Sequence, residues 1–166
     1  MNKLSCKNKY KNIAIISLIA IFFIGDRLLK FLSYQYFQEK FEVLPLIGNW
    51  FYFSFAKNYK IAFSLPFSGP WLLFLTAIII LIIAFVVLKL LWRDKTISQQ
   101  VALLVLILTG AVSNFIDRFS HGYVIDYFAI KNLAVFNLAD TMIGLGSLLL
   151  IIIVWRARED KKEHSL

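Results

Sequence analysis

The sequence predicts a helical membrane protein: four transmembrane spans, with a small β-sheet segment on the outer membrane face between helices 1 and 2. Three observations predict it. Hydrophobic residues make up 60% of the 166 positions and the mean hydropathy is +0.72, whereas a soluble domain is about 45–50% apolar. Apolar runs long enough to approach the roughly 20 residues of a span recur along the chain. Lysine and arginine gather beside those runs, as the positive-inside rule requires. The length accommodates one integral membrane domain over residues 1–166.

The first span is expected at about 11–32, following Lys3, Lys7, Lys9 and Lys11. Its apolar run, Ile13 to Ile24, resembles a signal peptide, but no small-x-small cleavage site follows. The helix continues through Gly25-Asp26-Arg27-Leu28-Leu29-Lys30 and carries Asp26 towards the far face. The stretch of about 33–68 is rich in aromatics, and the partial alternation of Phe51 to Phe55 favours short strands. Aromatics of this kind suit the membrane–water boundary. Span two is expected at about 70–91, with Pro70 at the first helical position. Spans three and four are expected at about 98–115 and 137–155, with the intervening residues of about 117–136 as a second outer loop.

Positive charge orients these spans. The N-terminus, the 89–95 turn and the tail after Trp155 hold most of the lysine and arginine, so both termini are expected in the cytoplasm. The net charge of +8 is then matched to anionic lipid headgroups rather than nucleic acid, since no basic stripe interleaved with aromatics lies on a polar face. Membrane lipid is thus an expected partner and nucleic acid is not. The single cysteine, Cys6, excludes an intramolecular disulfide and a multi-cysteine metal site.

Ionisable groups at membrane depth are costly and are functional candidates. Asp26, Asn58, Asn114, Asp117, Arg118, Asp126, Asn137 and Asp140 all fall on the outward side of this topology. Neither a metal-ligand cluster nor a Ser-His-Asp or Cys-His arrangement accompanies them, so no metal and no cofactor are expected. What remains is a carboxylate pair, Asp126 and Asp140. Two close carboxylates share a proton because both cannot ionise cheaply. One then takes a proton from water while the other polarises a carbonyl. On spacing alone, structural pairing and an ion pathway stay open. Asp26 and Lys30, four apart, fit a helix-surface ion pair, and Asp117 with Arg118 fits a cap on span three. A pathway needs polar residues through the membrane's depth, and the inner halves of spans two and three have almost none.

The motifs together resemble those of bacterial lipoprotein signal peptidase, also called signal peptidase II, over nearly the whole chain. Asp26 to Lys30 is similar to the family's first motif, and Asn58-Tyr59-Lys60-Ile61-Ala62-Phe63-Ser64 to its second. Gly110 to Arg118 is similar to the third, followed by Gly122-Tyr123-Val124-Ile125-Asp126-Tyr127, and Phe136-Asn137-Leu138-Ala139-Asp140 matches the last. The resemblance implies that Asp126 and Asp140 are the dyad of an aspartic endopeptidase of the bacterial cytoplasmic membrane. It implies that Asp26, Lys30, Asn58, Asn114, Arg118 and Asn137 order the site and hold substrate. The implied substrate is a diacylglyceryl-modified prolipoprotein, cut just before the lipidated cysteine by a monomeric enzyme. The alternative is a catalytically impaired family member or a non-enzymatic polytopic membrane protein.

Three departures from the family pattern stand out. Lys60 and Ile61 occupy positions usually filled by glycine and alanine, where glycine permits close backbone approach. Ser113 replaces a glycine commonly found before the asparagine, at a small position facing another helix. The connection from Asp126 to Asp140 is also short, which implies a reduced covering loop.

Overall fold

The computed structural model describes residues 3–38, 43–59, 70–94 and 97–163. Lys60 and Ile61 lie outside the described residues. Four helices and four strands follow one another as α1 (Lys3–Phe37), β1 (Leu44–Ile47), β2 (Phe51–Asn58), α2 (Pro70–Asp94), α3 (Gln99–His121), β3 (Val124–Ile130), β4 (Ala134–Phe136) and α4 (Leu138–Glu163). Each helix contains a stretch long and apolar enough to cross a membrane: Tyr10–Phe37, Pro70–Arg93, Gln99–His121 and Leu138–Asp160. The chain is a multi-pass membrane protein.

The helix limits have local causes. Pro70 opens α2 because its missing N–H is one that the first turn leaves unbonded. Ser98 caps α3 by accepting from Val101 N at 3.3 Å. Gly122, at φ 79°, closes α3 in the left-handed region, and its N–H donates to Arg118 O at 2.9 Å. This αL cap lies beyond the expected end of span three near 115. The apolar period fades at Asn114 and Asp117, but the helix continues to His121. Asp117 therefore sits inside the helix and does not cap it.

Apolar side chains of α2 such as Leu81, Ile82, Phe85 and Leu88 remain exposed on the protein, as lipid-facing residues do. Helices α3 and α4 approach closely through small residues. A Cβ on Gly110 would stand 2.6 Å from Ala139 O, and one on Gly146 would stand 2.7 Å from the Ile107 side chain.

The sheet is wider than expected. All its pairs are antiparallel in the order β1-β2-β3-β4, so two strands come from between α1 and α2 and two from between α3 and α4. The segment of about 117–136, read from sequence as a loop, holds β3 and β4. In β3 the first four residues are buried on both faces, which hides the alternation that marks a half-buried strand. The β2–β3 register pairs Phe53 with Phe128, Ala56 with Asp126 and Asn58 with Val124, with an irregularity between Phe53 and Ala56. Ser33 Oγ of α1 donates to Ser54 O inside that irregularity at 2.6 Å, which ties the sheet to the helices. Phe53 packs against Phe37, Tyr127 and Phe128.

Candidate active site

The polar residues singled out in the sequence converge at one end of the helical bundle, where α1 and α3 finish, α4 begins and the sheet docks. Two adjoining groups form there, each with contacts to β3. Adjacent residues of a strand point to opposite faces. Asp126 turns towards β2 and the start of α4, while Tyr127 turns towards α1.

Asn137 sits immediately before α4 and builds the first group. Its Oδ1 accepts from Asp140 N at 2.8 Å, and Asp140 Oδ2 accepts from Asn137 N at 3.3 Å. This reciprocal pair is the capping-box arrangement with Asn and Asp in the two roles. It holds the Asp140 carboxylate at the helix entrance. The same asparagine donates Nδ2 to Asp126 Oδ1 at 2.7 Å, so one residue touches both carboxylates. Asn58 Nδ2 donates to Asp126 Oδ2 at 2.9 Å. The register explains that contact: Asn58 faces Val124, which makes Asp126 its diagonal neighbour on the same sheet face. Asn114 Nδ2 donates to Asp140 Oδ1 at 2.7 Å. Each of these carboxylate oxygens retains acceptor capacity for water or a shared proton.

Burial pushes the Asp126 carboxyl up to about 7, and the charge of Asp140 adds to that effect. Hydrogen bonds from Asn58 and Asn137 and the more distant Lys30 charge oppose it. Asp126 is 2% exposed, so it meets little screening water. Arg118, near the end of α3, lies within the field of Asp140, Asp126 and Asp117. It also lines a cavity of about 440 Å³ with Tyr59, Leu72, Leu73 and Phe119, between the starts of α2 and the end of α3.

The second group is ionic. Asp26, Lys30 and Asp117 are fully or almost fully buried. Lys30 Nζ lies 3.2 Å from Asp26 Oδ2 and 2.7 Å from Asp117 Oδ2. The expected helix-surface pair of Asp26 and Lys30 is therefore a buried one. Helix i,i+4 spacing says that two residues meet but not whether the shared face points to water. Asp26 also accepts from Ser113 Oγ at 2.6 Å, Tyr127 Oη at 2.9 Å and Ala139 N at 3.1 Å. Asp117 accepts from Arg27 Nη1 and from Ile125 N, the latter at 3.2 Å. Lys30 Nζ then donates to Asn114 Oδ1 at 2.8 Å and so joins the two groups.

Of the eight site residues expected from the sequence, Asp26, Lys30, Asn58, Asn114, Asp126, Asn137 and Asp140 belong to these two groups through hydrogen bonds or ion pairs, and Arg118 lies within their field. Arg27 and Tyr127 were not singled out, and Asp117 was singled out only as an outward polar residue and a cap on span three. Asp117 had a signal, being an ionisable residue three positions after Asn114 on one face of a helix. Tyr127 had none, because an aromatic in a strand reads as packing.

The pattern of a family described as signal peptidase (SPase) II matches residues 18–156. The lipoprotein signal peptidase of Syntrophomonas wolfei subsp. wolfei is 38% identical over 113 residues, covering 68% of this chain and 74% of the relative. That of Trichormus variabilis is 36% identical over 151 residues, covering 87% and 91%. A bacterial membrane enzyme solved by the in meso method at 2.3 Å resolution has the same fold. It superposes with a TM-score of 0.75 at 23% identity, covering 90% of this chain and 92% of that one.

Proposed function

The chain belongs to the signal peptidase II family of prolipoprotein-processing peptidases, and from that premise we propose that Asp126 and Asp140 are its catalytic dyad. The observation that carries the proposal is Asn137, which touches both carboxylates at once and fixes their mutual orientation. In the singly protonated pair, the ionised carboxylate takes a proton from a water molecule. The protonated one donates to the carbonyl oxygen of the scissile bond. Water oxygen bonds to the carbonyl carbon, giving a neutral tetrahedral intermediate. The leaving nitrogen then receives the proton held by the first carboxylate as the C–N bond breaks, while the second carboxylate takes back a proton from a hydroxyl of the intermediate, which restores the singly protonated pair. The signal peptide leaves with a new carboxyl group and the mature chain with a new amino group. Arg118 and the asparagines stabilise charge that develops on the carbonyl oxygen.

The proposed substrate is a prolipoprotein carrying diacylglyceryl on a cysteine, cut on the N-terminal side of that cysteine. Lipid on one side of the bond and an apolar signal helix on the other would hold it at the membrane boundary. The proposed setting is the bacterial cytoplasmic membrane, with both termini in the cytoplasm and a monomer as the working unit. The clustering of lysine and arginine at the N-terminus, around 89–95 and after Trp155 supports that orientation. Asp126→Asn and Asp140→Asn are each expected to abolish cleavage of a diacylglyceryl-modified prolipoprotein while the protein still accumulates folded in membranes. Undiminished cleavage by either variant overturns the dyad.

A further inference from the structure

The ionic group beside the dyad contains a cation that the chemistry above does not use. Arg27 of α1 donates Nη1 to Asp117 and to Ser113 O at 3.3 Å. Its side chain is 31% exposed, so it reaches the group from the boundary, while Asp117 is fully buried. With Arg27 the group holds two carboxylates, Asp26 and Asp117, and two cations, Lys30 and Arg27, and is electrically neutral. Without it, Asp26 and Asp117 would share Lys30 at ion-pair distance, with Arg118 contributing through its field, and the surroundings of the dyad would be one charge more negative.

Two routes lead from Asp117 to the reacting carboxylates. Asp117 Oδ2 accepts from Ile125 N, the residue before Asp126. It also accepts from Lys30, whose Nζ bonds Asn114 Oδ1, and Asn114 bonds Asp140. The charged and titratable groups around the pair come from each packed element: Asp26 and Lys30 from α1, Asp117 and Arg118 from α3, Tyr127 from β3 beside Asp126 itself, and Asp140 from α4.

We propose that Arg27 is a positioning residue that sets the pH range of the dyad by balancing Asp117, leaving the Lys30 charge to act through Asn114 on Asp140. The inference rests on the dyad reading above. It gives the charge of the ionic group a function separate from its packing. A neutral group favours the singly protonated pair over one pH interval. A net negative group moves that interval upward and a net positive one moves it downward, because nearby anions oppose ionisation of carboxylates and nearby cations favour it.

The experiment measures cleavage of a diacylglyceryl-modified prolipoprotein by the full-length enzyme in mixed detergent–lipid micelles, from about pH 5 to pH 9. Arg27→Gln is expected to move the whole pH–rate profile up by roughly one unit, Asp117→Asn to move it down by a similar amount, and the double variant to return it near the wild-type position. Arg27→Lys keeps the charge and is expected to keep the profile. A purely structural role lowers the rate at every pH and leaves the profile in place. An unmoved profile in either single variant, or shifts of the same sign in both, overturns the inference. Should Arg27→Gln fail to fold, the downward shift in Asp117→Asn carries the test alone. Asp126→Asn and Asp140→Asn run alongside separate the two claims. If they cleave normally, the dyad reading itself fails; if they are inactive while the profile stays fixed, only the role of Arg27 fails.

Discussion

Two carboxylate pairs sit side by side at this end of the bundle, and they have opposite characters. Asp26 and Asp117 meet cations, Lys30 and Arg27, at ion-pair distance. Asp126 and Asp140 accept instead from amides: the side chains of Asn58, Asn114 and Asn137 and the Asn137 backbone. A cation beside a carboxylate pairs with its charge and holds it as part of an ionic scaffold. An amide orients a carboxylate while leaving its proton exchangeable. The partner type, not the residue type, separates a buried scaffold from a group able to move protons. Each pair can be broken on its own, and the two should fail in different ways.

The largest effect belongs to the amide-held pair and should appear in rate alone. Asp140→Asn removes the exchangeable proton and keeps the shape, so cleavage is expected to fall by about 10²–10⁴-fold or more. Thermal unfolding in detergent should fall only modestly, since the amide relieves the cost of a part-buried charge but gives up one of the two hydrogen bonds the carboxylate accepts. A large loss of stability in this variant would mean that the proposed dyad is also a scaffold.

The ionic pair should fail in stability first. Lys30→Met leaves Asp26 and Asp117 buried with one cation fewer, and breaking a buried pair from one side costs about 3–5 kcal/mol. It also removes the donor to Asn114 Oδ1, so activity is expected to fall with folding. Denaturant or thermal unfolding of the purified variant checks the first effect. A variant as stable as the wild type but inactive would make Lys30 part of the chemistry rather than of its support.

A smaller effect follows from pH. The Asp126 carboxyl titrates near 7 in the folded protein, against 3.8 for the ordinary group. The folded state therefore binds the proton more tightly than the unfolded chain. The stabilisation is fully present below about pH 4 and is lost as pH rises through about 7, by on the order of a few kcal/mol. Asp126→Asn should flatten that part of the stability–pH curve, read as thermal midpoints across the interval. Catalysis by the singly protonated pair is likewise expected to decline as pH rises through about 7.

How far the comparison was legible in the sequence depends on what each residue signals alone. The four spans were legible because apolar length is a strong signal, and the Pro70 start was legible from proline's preference for the first helical position. The extension of α3 to His121 was not, because its last turns are polar where they meet the other elements. Nor was the pairing of β2 with β3, a contact between segments separated by two helices. The eight polar residues of the site stood out because ionisable and amide groups are expensive beside lipid. Their division into two groups did not stand out. It depends on which face of β3 each neighbour meets, and Tyr127, which joins Asp26 to the start of α4, looks like any core aromatic.

The smallest expected effect tests whether the two groups respond to packing or to charge. Ser113 stands where the family pattern commonly has glycine, is fully buried, and donates to Asp26 Oδ2 at 2.6 Å. Ser113→Gly removes that bond without changing any charge. Asp26 keeps Lys30, Tyr127 Oη and Ala139 N, so no carboxylate is left bare. The lost hydrogen bond and the weaker helix propensity of glycine together are expected to cost about 1–2 kcal/mol in unfolding experiments. The cleavage rate should change by no more than a few-fold, and the pH–rate profile should stay in place because the ionic group remains neutral. A displaced profile in Ser113→Gly would show that geometry, not net charge, links the ionic group to the dyad. An unmoved profile here, beside opposite shifts in Arg27→Gln and Asp117→Asn, would assign that link to charge.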